Sequence, residues 1–259
     1  MRGSLKHYAG RAAIKSKIVE DATATRLRLA NHFNQLFDAQ VRYGPFKGFR
    51  FSPTSWWSAI DRAGMLLGLY EQEVLNALVS ASEKRSIFID IGAADGYYGV
   101  AAVSQRLFER SLCFEMTQAG QSVIRANAEL NGVSDLVSVY GEADIDTLEG
   151  IPASQRDQSV VLIDIEGAEF EFLSERVIEL LKNSVLIIEL HDWLHSAGDE
   201  LRASLQERLK PHFSTQVLTT SSRDLSEFVE LEELPDTERW LLCSEGRGRL
   251  MQWWVLTPL

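Results

Sequence analysis

The chain has 259 residues, 45% hydrophobic and 24% charged, the usage of an ordinary globular protein with room for one sizeable α/β core plus extra elements. Six prolines and 17 glycines exclude low-complexity and collagen-like chains, and two cysteines, Cys113 and Cys243, are too few for a disulfide framework and lack the spacing of a structural zinc site. The net charge of −11 divides into +7 over residues 1–50 and −18 over the remainder, which disfavours a general nucleic-acid binder.

No apolar run approaches the ~20 residues that cross a bilayer. The opening MRGSLKHYAG lacks the apolar stretch of a secretory signal, so a cytoplasmic protein without a membrane span is expected. Lys6, Arg11, Lys15, Lys17, Arg26 and Arg28 could form a basic helical face toward anionic lipid, an acidic partner or a targeting receptor; the plainer reading is a solvated or self-docking helix. Residues 11–40 carry an imperfect apolar stripe (Ile14, Ile18, Leu27, Leu29, Phe33, Leu36, Phe37) and read as helical. Gly44, Pro45, Gly48 and Pro53 break this helix, and the chain passes Trp56 and Trp57 into a second helical stretch over roughly 60–82.

From Ser86 short apolar runs alternate with amphipathic stretches. Strands are expected at 86–92, 111–116, 136–144, 159–167 and 184–192, with helices at 97–107, 118–132, 169–183 and near 199–210. Residues 214–220 read as extended and 252–258 as a last strand; 221–250 give no clear role. Continuously apolar strands alternating with helices imply a mostly parallel sheet covered on both faces, with ligands at the carboxyl ends of its strands. The expected organisation is an N-terminal helical segment, 1–84, serving as a lid or in dimerisation, and a Rossmann-like domain, 85–259. A basic arm beside an acidic body suits pairing between two copies of the chain.

The first strand runs into Asp90-Ile91-Gly92-Ala93-Ala94-Asp95-Gly96 and a helix. Small residues there let backbone approach a ligand, although any tight strand-to-helix turn also uses them. Glu115 ends the next strand 25 residues after Asp90, near the spacing at which an acidic side chain accepts ribose hydroxyls. Asp90 beside the loop would repel a pyrophosphate and tolerate a cationic sulfonium, favouring S-adenosylmethionine over NAD. The only YxxxK pattern, Tyr43 to Lys47, lies upstream of the loop, where a short-chain dehydrogenase has no use for it.

These segments resemble the FkbM-type family of class I S-adenosylmethionine-dependent methyltransferases. The resemblance is carried by FIDIGAADGYYGV (88–100), CFEM with IRANAELNGV (113–116 and 124–133), VVLIDIEGAEFEFL (160–173) and SVLIIELH (184–191), with LLGLYEQEV (66–74) upstream. It implies a seven-stranded Rossmann-like fold and methylation of a hydroxyl on a sugar or small secondary metabolite. Two departures stand out: Met116 where the family commonly has Pro, and Leu162 where a Lys often precedes the Asp of DxEGxE. By the resemblance, Asp90, Gly92, Ala93 and Gly96 would line the methionine side of the cofactor, Glu115 would hold the ribose, and Glu142, Ala143 and Asp144 would flank the adenine.

Asp164, Glu166 and Glu169 place three carboxylates at the sheet's functional edge. They could serve the cofactor and acceptor, cap the helix they open, or hold a hard cation such as Mg²⁺, which the spacing does not demand. Asp164 is the expected site residue. His191 is the candidate base for proton removal from the acceptor, with Glu189 or Asp192 orienting its ring and His195 a weaker candidate. Tyr97, Tyr98, Trp56, Trp57 and Trp193 could shape the acceptor pocket, while Cys113 reads as core. The expected function is S-adenosylmethionine-dependent O-methylation of a small hydroxylated acceptor. The alternatives are a Rossmann-like binding or scaffold protein without transfer activity and an NAD-dependent dehydrogenase.

Overall fold

In the computed structural model, residues 22–259 are described; Lys6, His7, Arg11, Ile14, Lys15, Lys17 and Ile18 lie outside the described residues. A helix over 22–36 (α1) is followed by a loop that turns back on itself at the Gln40–Arg50 bridge. Two helices come next, α2 (Arg62–Leu66) and α3 (Gln72–Ser82). The alternating part then runs β1 (Ile87–Ile91), α4 (Tyr97–Ser104), β2 (Arg110–Phe114), α5 (Gln118–Leu130), β3 (Val137–Tyr140), α6 (Ile145–Gly150), α7 (Ala153–Arg156) and β4 (Ser159–Ile163). It ends with α8 (Glu169–Phe172), α9 (Glu175–Leu181), β5 (Val185–Glu189), α10 (Gly198–Leu209), β6 (Phe213–Thr219), α11 (Asp236–Leu242) and β7 (Gln252–Pro258).

The seven strands form one sheet in the order β3-β2-β1-β4-β5-β7-β6. β1 to β5 are parallel, and β7 inserts antiparallel between β5 and β6, pairing Leu186 with Leu256 and Val217 with Trp254. β1, β4 and β5 are buried along their whole length, as their unbroken apolar runs require of strands covered on both faces. Alternate residues divide between two cores. Phe88, Val160, Leu162 and Ile187 join Leu29, Phe33, Phe46, Phe49, Leu67 and Leu75 on one face. Ile89, Ile91, Val161, Ile163 and Ile188 join Leu148, Phe170, Ile178 and Leu205 on the other. Residues 22–84 therefore share a core with the sheet.

Several expected elements are shorter or divided. The stretch 60–82 is two helices because the backbone at Gly68 turns left-handed (φ 68°), where an added Cβ would press on the Tyr43 carbonyl. The stretch 169–183 divides because Ser174 leaves helical geometry and its Oγ caps the Val177 N–H, starting α9 anew. The strand expected over 136–144 ends at Tyr140, since Asp144 and Thr147 form a reciprocal cap that commits the following residues to α6. The first helix stops at residue 36, with Asp38 and Ala39 both at positive φ.

Candidate active site

β1 and β4 end side by side, and the chain leaves β1 through Gly92 at φ 90°. A Cβ there would collide with the Asp164 carbonyl oxygen, so the close approach of the two strand ends requires glycine. The loop then meets the end of β2. Ala94 N–H donates to Glu115 Oε2 (3.1 Å), while the main-chain N–H and hydroxyl of Thr117 donate to Oε1 (2.8 and 2.7 Å). The Thr117 hydroxyl also caps α5 by accepting from Gly120 N–H. Glu115 is thus fixed and buried between the glycine loop and the α5 cap.

A cavity of about 490 Å³ opens at this edge. Of the residues expected at the cofactor, Gly92, Ala93, Glu115, Glu142, Ala143 and Asp164 line it. Asp90, Gly96 and Asp144 do not. Asp90 turns beneath α4, where its Oδ2 is, after Cys113 Sγ, the atom that a Cβ on Gly99 would crowd most; that oxygen is buried without a hydrogen-bond partner. Burial pushes the Asp90 pKa up to about 7, against a hydrogen bond from the Gly99 backbone and with help from the charge of Glu115. Gly96 packs on Val100 and Ile124, and the exposed Asp144 carboxylate caps α6.

The loop before α2 covers the cavity. Asp95 Oδ1 accepts from the main-chain N–H groups of Trp56 (3.0 Å) and Trp57 (3.4 Å), and Oδ2 accepts from the Ser55 hydroxyl. Asn127 on α5 accepts from Ser52 N–H (2.7 Å) and donates to the Asp95 carbonyl (2.7 Å), binding the loop and the glycine turn into one unit. Trp56, Trp57, Tyr97 and Tyr98 line the cavity, whereas Trp193 lies away from it beneath Arg249.

The wall that follows β4 carries two further carboxylates. Asp164 and Glu166 line the cavity there, and His191 stands behind them, 2% exposed, with Nε2 3.8 Å from Asp164 Oδ1 and 3.6 Å from Glu166 Oε2. Burial, then the charges of Glu71 and Glu166, pushes the Asp164 pKa up to about 8. Glu169, expected beside Asp164 and Glu166, points inward instead: Oε1 accepts from His191 N–H (2.6 Å) and Oε2 from Gly167 N–H (2.9 Å). Its Oε1 also lies 3.5 Å from His191 Nδ1, which places a carboxylate beside that ring nitrogen. Asp192 pairs with Arg202, and His195 is held by the Gly167 carbonyl. Burial opposes a charge on His191, but the surrounding carboxylates, Glu169 first, outweigh it and raise its pKa.

Beside this wall lies a network that sequence reasoning did not find. Arg247, from the 221–250 region, pairs with Glu71, Glu189 and Glu245, and the Tyr98 hydroxyl donates to Glu71 Oε2 (2.6 Å). Arg223 adds ion pairs to Glu73 and Glu245. Only the upstream LLGLYEQEV segment hinted at Glu71; no periodicity marks Arg247, which lies in a loop.

The strand order with a single reversed strand between β5 and β6 is the class I S-adenosylmethionine-dependent methyltransferase form of the Rossmann-like fold. No family model matches the chain, and no curated protein matches it. Among solved structures, it is similar to the O-methyltransferase from Bacillus cereus in complex with S-adenosylhomocysteine, at 16% identity and a TM-score of 0.47, over 90% of this chain and 91% of that one. It is also similar to precorrin-6y C5,15-methyltransferase from Geobacter metallireducens GS-15 (18%, TM-score 0.46, 73% and 89% of the two chains). A third is the M1A22 tRNA methyltransferase TrmK of Bacillus subtilis (14%, 0.45, 70% and 64%). These are likenesses of fold. Among the described residues, no helix is long and apolar enough to cross a membrane.

Proposed function

We propose that this chain is an FkbM-like, S-adenosylmethionine-dependent methyltransferase acting on a hydroxyl of a small acceptor such as a sugar or secondary metabolite. The observation that carries this reading is one cavity whose wall holds the fixed Glu115, the glycine loop, and Asp164 with Glu166. Glu115 would receive the ribose hydroxyls, Gly92 and Ala93 would meet the methionine portion, and Glu142 and Ala143 would flank the adenine. Asp90, Gly96 and Asp144 support the cleft from outside its wall.

Methyl transfer is an in-line displacement: the acceptor oxygen attacks the methyl carbon, the sulfur–carbon bond breaks with its electron pair moving to sulfur, and the hydroxyl loses its proton. S-adenosylhomocysteine is the by-product. Asp164 faces the cavity with His191 behind it, and both are assigned to that proton loss. Titrating the purified protein with S-adenosylhomocysteine and with NAD by calorimetry tests the reading. We expect micromolar binding of the former alone, weakened at least tenfold in Glu115→Ala, followed by methylation in a screen of hydroxylated acceptors. Binding of NAD alone would overturn it, and cofactor binding with no transfer to any acceptor would leave a binding protein.

A further inference from the structure

We propose that Asp164, Glu166 and His191 form a binding site for one divalent transition cation of the Mn²⁺ or Zn²⁺ type at the cavity wall that follows β4. One candidate ligand atom from each residue lies within 4.8 Å of the other two. The His191 Nε2 separations of 3.8 and 3.6 Å from Asp164 Oδ1 and Glu166 Oε2 are too long for hydrogen bonds. They suit two ligands sharing one ion, because bonds of about 2.0–2.2 Å from nitrogen and carboxylate oxygen to a metal let such a pair stand up to about 4 Å apart.

A second observation points the same way. His191 is 2% exposed, and among the described residues Nε2, the ring nitrogen that faces Asp164 and Glu166, forms no hydrogen bond. Asp164 Oδ1, aimed at the same point, is also buried and unpartnered. Orphaned polar atoms of this kind are costly unless something fills the space between them. The charges agree: Arg247 answers Glu71 and Glu189, but among the described residues no Lys or Arg stands within ion-pair distance of Asp164 or Glu166. Glu169 supplies the outer support that a ligating histidine needs, a carboxylate beside the other ring nitrogen and on its main-chain N–H.

The donor set is one imidazole and two carboxylates, which suits Mn²⁺ or Zn²⁺ better than Mg²⁺ or Ca²⁺, whose preference is for oxygen alone. Because Asp164 and Glu166 line the cavity, the ion would border the acceptor's hydroxyl and lower the cost of its proton loss as a Lewis acid, a role that replaces His191 as a free base whenever its Nε2 is bound to the ion. That use rests on the methyltransferase reading; the site itself does not.

The test is a titration of the full chain, stripped with EDTA, with Mn²⁺ followed by the loss of the free-ion electron paramagnetic resonance signal, and with Zn²⁺ by calorimetry. We expect one ion per chain at micromolar affinity. Glu166→Gln, at a half-exposed position that spares the core, should weaken binding at least tenfold, and Asp164→Asn should do the same. No saturable binding, or equal affinity in both variants, would overturn the proposal. S-adenosylhomocysteine titrated into the same metal-free protein separates the two claims. Its binding without Mn²⁺ or Zn²⁺ uptake sinks the cation site alone, and ion uptake without its binding upholds the site and sinks the methyltransferase reading.

Discussion

Asp90 is 2% exposed, with Oδ2 lacking a partner beneath α4, and folding therefore favours its neutral form. Its pKa rises from the ordinary 3.8 to about 7, burial being the main cause. The folded protein then holds a proton that the unfolded chain releases over this interval, so the contribution is complete below about pH 4 and is lost progressively as pH rises toward 7. The slope from this one group is at most about 1.4 kcal/mol per pH unit. Asp90→Asn keeps the shape and removes the titration. We expect its unfolding free energy without cofactor, measured by urea denaturation, to match the parent near pH 4 and to exceed it by a growing margin up to pH 7. Parallel pH profiles for the two proteins would show that Asp90 stays ionised in the fold.

At the scale of elements, the loop over 52–58 and the glycine turn act together because Asp95 takes two main-chain N–H groups and a hydroxyl from it. Trp56 and Trp57 line the cavity from that loop, so under the methyltransferase reading the loop is expected to slow ligand release. We expect Asp95→Ala to raise the dissociation constant for S-adenosylhomocysteine roughly tenfold, equivalent to about 1.4 kcal/mol. Because Asp95 also lines the cavity, Ser55→Ala serves as the companion: it loses one latch outside the wall and should shift affinity the same way by less. Stopped-flow tryptophan fluorescence should locate the change in the dissociation rate, and unchanged rates in both variants would remove the latch from the account.

The elements most legible in the sequence are those whose pattern is local. The last strand, 252–258, matches its expected limits, and the strand-to-helix turn after β1 and the acidic end of β2 came from motifs with short spacing. Helix divisions at Gly68 and Ser174 were hidden because apolar periodicity continues across both, and only a tertiary neighbour such as the Tyr43 carbonyl fixes the break at the first. The surroundings of Asp164 were half legible. Asp164 and His191 follow strands and could be placed, but Glu169 turning inward and Arg247 joining Glu71 to Glu189 depend on contacts far apart in the chain. Local patterns carry no record of such pairings.

For the whole molecule, the composition allowed a separate N-terminal segment ending at residue 84, and the packing gives a sharper expectation. Leu29, Phe33, Phe46, Phe49, Leu66, Leu67, Leu75 and Leu78 are fully buried, in the same cluster as Phe88, Val160 and Trp253 of the sheet. Removing residues 1–84 would strip this face bare and leave the apolar side chains of the sheet that they cover, Phe88, Val160 and Trp253 among them, facing water. The cut would also leave Arg247 without Glu71 and Arg223 without Glu73, uncovering buried charges on the C-terminal loop. We therefore expect the full chain to unfold in one cooperative transition, coincident by circular dichroism and tryptophan fluorescence, and residues 85–259 expressed alone to be insoluble or to lack such a transition. A soluble 85–259 fragment with a cooperative melt and S-adenosylhomocysteine affinity near that of the full chain would instead make the N-terminal segment a separable attachment, with Trp56 and Trp57 dispensable to the cofactor.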